Sequence, residues 1–152
     1  MINSKRLSRI LLTIIVLFLF SIPAFAEISW QPANQATVSW NAVAKTSEGT
    51  DIPPEDTVKY KLYAVKSGDD LANAVEIGET DQLRYVITFE DEGRWLVGVS
   101  AYRVPTGSSD PDTDIRESSI TWSNSVDIAA VPVPFGVIYF AAPAPVAGFG
   151  LE

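Results

Sequence analysis

"EGRWLVGVSAYRV", residues 92–104, places Trp95, Val97, Val99 and Ala101 at every second position. A period of two puts those four side chains on one face of a β-strand. Four apolar side chains in a row must be packed against something. The same period recurs elsewhere: Val38, Trp40 and Ala42 alternate with Thr37, Ser39 and Asn41, and Val58, Tyr60, Leu62 and Ala64 alternate with Lys59, Lys61 and Tyr63. These are half-buried strands. Shorter strands are expected over 74–78 and 84–89, and a last one over "SITWSNSVDI" (119–128), with Ile120, Trp122, Val126 and Ile128 on one face.

Between the strands lie turn signals. "KTSEGTDIPPED" (45–56) collects Gly, Pro, Ser, Thr and Asp, and its Pro53–Pro54 pair can neither donate to a ladder nor sit inside a helix. "SGDD" (67–70) and "EDEG" (90–93) are tighter turns. Only "DDLANAVEIG" (69–78) approaches helical spacing, through Leu71, Ala74 and Val75, and at most as a short turn. Six or seven short strands with turns between them predict an antiparallel β-sandwich. Trp95, Val97, Val99 and Ala101 then face Val38 and Trp40 across two sheets packed about 10 Å apart.

Residues 1–26 read differently. Lys5, Arg6 and Arg9 precede a nearly unbroken apolar run over 10–20, and Ala24-Phe25-Ala26 gives the small-x-small pattern of a cleavage site. This is the pattern of a secretory leader. The apolar run is about half of the roughly 20 residues that span a bilayer, so no stable membrane span is expected once the leader is cut after Ala26. The product would be secreted or periplasmic, with a sandwich over 27–130 and a Pro-rich apolar tail over 131–152.

Loss of the leader removes three basic residues and no acidic ones, so the formal charge of −8 becomes −11. The eight basic residues left are scattered among nineteen acidic ones, which disfavours nucleic acid as a partner. Cysteine is absent, so the fold must rest on its core. Histidine is absent too. That removes Ser-His-Asp and Cys-His catalysis and leaves, for an enzyme, a carboxylate pair or a Ser-Lys dyad, neither marked by spacing. No Gly-rich phosphate loop is present, and no cofactor is expected.

Taken in order, these strands resemble the fibronectin type III domain. The resemblance covers about residues 28–129 and rests on Trp40 in "TVSW", on the tyrosine-rich "VKYKLYAV" (58–65), on the ladder Trp95, Val97, Val99, Ala101, and on Ser123-Asn124-Ser125-Val126. It implies a sandwich of about seven strands with an immunoglobulin-like core. The family's corner tyrosine is replaced by Trp95, six residues after Phe89; Trp95 has an indole N–H but no hydroxyl, so any corner bond must differ from the family's. The usual Pro-x-x-Leu opening is absent, which leaves "EISWQP" (27–32) as a short or displaced first strand.

Three stretches offer candidate binding chemistry. "DPDTD" (110–114) begins like a calcium loop, but the sixth position is Ile115 and the twelfth is Thr121, so it reads as a solvated hairpin tip and no metal is assigned. Tyr63, Val65, Leu96 and Tyr102 share the outer face of the sheet and could form a platform for a sugar or a protein. If the third and sixth strands pair as in the resembled family, Tyr63 lies beside Gly98 and Tyr102 beside Lys59, neighbours that explain both rings without a ligand. In the tail, no charge appears between Asp127 and Glu152. Phe135, Ile138 and Phe140 in "PFGVIYF" suit an added strand, and Phe149 in "PAPVAGFGLE" suits a contact with another chain. The resulting expectation is a non-catalytic binding or structural module for protein or cell-surface partners. A carbohydrate-binding module or an accessory domain of polysaccharide-degrading machinery is the alternative.

Overall fold

The computed structural model describes residues 27–107, 116–127 and 129–143. The expected leader, the acidic stretch 110–114, Ile128 and Phe149 lie outside the described residues. Nearly all of the described secondary structure is β, in nine strands: β1 Ser29–Pro32, β2 Gln35–Ser39, β3 Thr57–Lys66, β4 Val75–Thr80, β5 Arg84–Thr88, β6 Gly93–Val104, β7 Arg116–Glu117, β8 Thr121–Trp122 and β9 Phe135–Tyr139. They form one sheet in the order β1-β9-β6-β3-β4, with β7 and β8 also on β6, and a second sheet of β2 and β5. The chain is an all-β, two-sheet sandwich.

β3 and β6 are its axis. They pair antiparallel without a slip from Thr57 opposite Val104 to Lys66 opposite Trp95, which sets Tyr63 opposite Gly98 and Lys59 opposite Tyr102, the neighbours that the resemblance implies. Because the period of the strands is two, one face of this pair points inward along its whole length. The core on that face holds Leu62, Val97 and Val137 against Val38, Ile87 and Phe89, with Trp40, Trp95, Val99 and Phe135 packed around them. The turn before β4 is a single helical one, Leu71–Asn73, closed by the Asp70 carboxylate on the Ala72 N–H. The corner before β6 is tied by the Trp95 indole, which donates to the Asp91 carbonyl at 3.1 Å. Phe89 stacks near it at 5.7 Å between ring centroids, and the Lys66 ammonium lies 5.3 Å from its ring centroid.

Two parts of the sequence-based description need correction. The sandwich is not wholly antiparallel, because β1 runs parallel to β9, with Trp30 opposite Gly136. A Cβ on Gly136 would collide with the Trp30 ring, so the glycine is what admits the indole. The Arg94 guanidinium lies over the same ring, 5.2 Å from its centroid. β1 is thus fixed to the large sheet, and among the described residues β2 has no strand on its far side.

Nor is residues 119–128 one strand. β8 stops after Trp122, where the Ser123 N–H reaches Val97 O at 2.8 Å and the Ser123 hydroxyl accepts from Val97 N at 3.2 Å. A side-chain oxygen has taken the place of the next ladder carbonyl. The chain then leaves the sheet, with Asp127 accepting from Ala129 and Val131. It returns where the Phe135 N–H bonds Ser123 O at 2.9 Å. Val126, expected on one face with Ile120 and Trp122, is 81% exposed on this excursion.

The excursion delivers β9 into the sheet, between β1 and β6, with Val137 opposite both Gln31 and Trp95. Val137 is 1% exposed and Phe140, just past the strand, is 63% exposed. Val137→Ala should therefore cost about 2 kcal/mol, the loss of two buried carbons plus the cavity left behind. Phe140→Ala should cost less than about 0.5 kcal/mol. Urea unfolding of the two variants checks this; equal effects would mean that β9 is peripheral to the core.

Candidate functional site

The outer face of the large sheet is closed. Leu96 and Tyr102 are each 5% exposed, so neither offers a platform. The glycine at the centre of this face is covered by Ile120 and Trp122, which a Cβ on Gly98 would strike. Tyr63 is half-buried and its hydroxyl donates to the Glu117 carboxylate at 2.8 Å. Glu117 also accepts from the Ser100 hydroxyl at 2.6 Å and from Lys61 at 3.2 Å. Burial pushes the Glu117 carboxyl up, but the hydrogen bonds from Ser100, Tyr63 and Lys61 outweigh it and hold the group below its ordinary range. Burial and then the carboxylate of Glu79 push the Tyr102 hydroxyl far up. This cluster is polar, internally satisfied and structural; it clamps β7 onto β6.

The open feature lies between the sheets. Two strands cannot cover the inner face of five, and the uncovered part is a cleft of about 550 Å³ beside β2. Its floor is Val97, Val99, Ala101 and Phe135, its near wall Val38 and Trp40, and its far wall the excursion at 129–133. Among the described residues no charged side chain lines it, although the polar Ser39, Asn41, Ser118, Thr121 and Ser123 do. The Trp40 ring packs on Tyr60, with centroids 5.2 Å apart. Its indole nitrogen is buried with no acceptor among the described residues. A buried donor without a partner is costly and marks a place where an acceptor is wanted.

At its Val38–Ser39 end β2 supplies the cleft with a hydrogen-bonding rim. Its ladder with β5 is flanked by bonds from Trp40 N–H to Leu83 O and from Phe89 N–H to Asn34 O. In an antiparallel pair the inward-bonded residues alternate, so Ala36 and Val38 bond β5 while the main-chain groups of Gln35, Thr37 and Ser39 point away from it. Those three residues are exposed, and no strand pairs with them among the described residues. A short free edge beside an apolar trough can accept an extended chain.

Of the side chains expected to meet a partner, Phe135 lines the cleft floor. Ile138 is half-buried in the large sheet opposite Arg94, and Phe140 stands in solvent. Trp40 and the edge residues Thr37 and Ser39 were read as core and strand from their alternation. Nothing local marks them as a rim, because the rim exists only once β1 has gone to β9. No group of three or more acidic side chains among the described residues is arranged to hold a metal ion, and no described helix is long and apolar enough to cross a membrane. The chain matches no protein-family model, no curated protein and no solved structure.

The Glu117 cluster gives a pH-dependent expectation. Its carboxyl pKa is lower in the folded chain than the ordinary 4.5, so its contribution is complete above that value and disappears as pH falls through the depressed one. Asp56 and Glu79 are also lowered, Asp56 first by the Thr106 N–H and Glu79 first by Tyr102. Acid therefore weakens the wild-type chain at several sites at once. Glu117→Gln should cost about 1 kcal/mol at pH 7, given its partial exposure, and the gap should close in acid. Urea unfolding of both proteins at pH 7 and pH 3 tests this; a constant gap would contradict it.

Proposed function

We propose that this chain is an exported, non-catalytic module of fibronectin type III-like character that binds another polypeptide by accepting an extended strand along β2. The observation that carries this reading is the coincidence of a free strand edge, an uncharged apolar trough and a buried indole N–H without an acceptor at one place. Main-chain pairing along Gln35, Thr37 and Ser39 supplies affinity, and the alternate side chains entering over Val97, Val99 and Phe135 supply selection. The leader-like opening and the excess of acidic residues support export and solubility outside the cell membrane.

The chemistry of the trough also sets its preference. An unpaired charge placed between the sheets would lose its hydration without compensation, so the accepted strand carries small and apolar residues over the contact. The closed outer face leaves a sugar little aromatic surface, with Tyr102 and Leu96 buried and the Tyr63 hydroxyl engaged.

The test sets uncharged peptides of alternating apolar pattern, the same peptides with one central aspartate, and a glycan array against the chain beginning at Glu27. The uncharged peptides should bind and raise the melting temperature by mass action. A central aspartate should weaken binding at least tenfold, and Thr37→Pro, which removes an outward donor and blocks the rim, should abolish it. Glycan binding without peptide binding would establish the carbohydrate-module alternative instead.

A further inference from the structure

The trough asks for an extended segment with no charge and a period of two, and the chain itself contains one. Downstream of β9, Pro145, Ala147, Phe149 and Leu151 alternate with Val146, Gly148 and Gly150, and residues 128–151 carry no charge at all. Such a segment has an apolar side made of Ala147, Phe149 and Leu151 and a nearly bare opposite side. Its one proline within the repeat stands at the start, where a missing N–H interrupts no ladder. We propose that residues 144–151 of a second copy of this chain add as a strand to the free edge of β2 and fill the trough beside it. This rests on the strand-accepting role proposed above and names the partner.

The second copy is favoured over the same copy by where the chain leaves the sheet. Tyr139 is opposite Gly93, and the Ala141 N–H is held by the Glu92 carboxylate at 2.8 Å. At that end of the sandwich the layer is already filled by Ala33, Ala36, Trp95, Val137 and Tyr139. The trough lies toward the other end, over Val97, Val99 and Ala101. The eight steps along β6 from Gly93 to Ala101 span about 27 Å. Residues 144–151 reach at most about 29 Å fully extended. A strand from the same copy would spend nearly its whole length reaching the far end of the trough. It would also have to pass the filled end, where Ala33 N–H is bonded to Ile138 O at 2.9 Å and Phe89 N–H to Asn34 O at 2.8 Å. A segment from another copy enters from the open end without either constraint.

In the trough, Phe149 fills the volume above Val97, Val99 and Phe135. Exchange in both directions closes a dimer. Each copy is acidic, with a formal charge of −8 for the whole sequence, so long-range repulsion opposes the encounter and added salt strengthens association.

The experiment is light scattering of the chain from Glu27 over a hundredfold concentration range, at low and at physiological salt. A dimer that forms on concentration, and more readily in salt, is expected. Thr37→Pro and Phe149→Asp should each be monomeric at concentrations where the parent is dimeric, and mixing the two should restore a heterodimer, since one supplies the segment and the other the edge. Val131→Glu, which places a carboxylate in the trough wall outside any strand, should also prevent the dimer, and covers the case in which Thr37→Pro does not fold. A parent that remains monomeric throughout, or variants whose mixture restores nothing, overturns the proposal. If the parent is monomeric but unrelated uncharged peptides still bind in a Thr37-dependent way, only this inference falls; if no peptide binds, the strand-accepting function falls with it.

Discussion

The inner face of β6 governs what the rest of the chain must do. Trp95, Val97 and Val99 point between the sheets together with Leu62 of β3 and Val137 of β9, and at roughly 25 cal/mol per Å² of apolar surface their exposure would be hard to sustain. Among the described residues a two-stranded sheet is the other layer, and Val38, Ile87 and Phe89 on that side cover the centre and one end. The remainder is covered thinly, by the excursion at 129–133. The fold and its open trough are thus consequences of one mismatch in width.

That mismatch comes from a local preference. β1 would widen the small sheet if it lay beside β2; Trp30 instead finds room over Gly136 and a cation in Arg94. A second tryptophan, Trp122, sits over Gly98 in the same way. Both pairings place a large ring on the outer face where a strand lacks a side chain, a recognised way of sealing a sheet. The outer face is closed at the expense of the inner one, so the inner face keeps an accessible apolar surface beside a hydrogen-bonding edge.

Much of this was legible in the residues. The long alternations in 57–66 and 93–104 predict two strands and the parity of their pairing, because a one-residue slip would turn every buried side chain outward; the register itself follows only from the resemblance to the fibronectin type III domain. The corner bond is likewise readable in kind, since an indole at Trp95 can only donate. The position of β9 was less so. "PFGVIYF" has the period of a strand, but its partners are far away in sequence on both sides, and Pro132 and Pro134 show only that the approach is not helical. The outer platform of Tyr63, Leu96 and Tyr102 was drawn from parity alone. Burial of Leu96 and Tyr102 depends on Trp122, Glu117 and the path of the chain after Ser123, contacts that no local pattern announces. The trough is the least legible feature, being a space left by a strand that went elsewhere.

The account stands most directly on the edge of β2, and amide hydrogen exchange followed by NMR on the chain from Glu27 reads it residue by residue. In dilute solution Ala36 and Val38, bonded to β5, should exchange slowly, while Thr37 and Ser39 exchange orders of magnitude faster; on concentration or with a bound strand peptide the second pair should become slow as well. Thr37 and Ser39 as protected as Ala36 and Val38 in the dilute monomer would show that the edge is already paired, and the trough would not be a binding site.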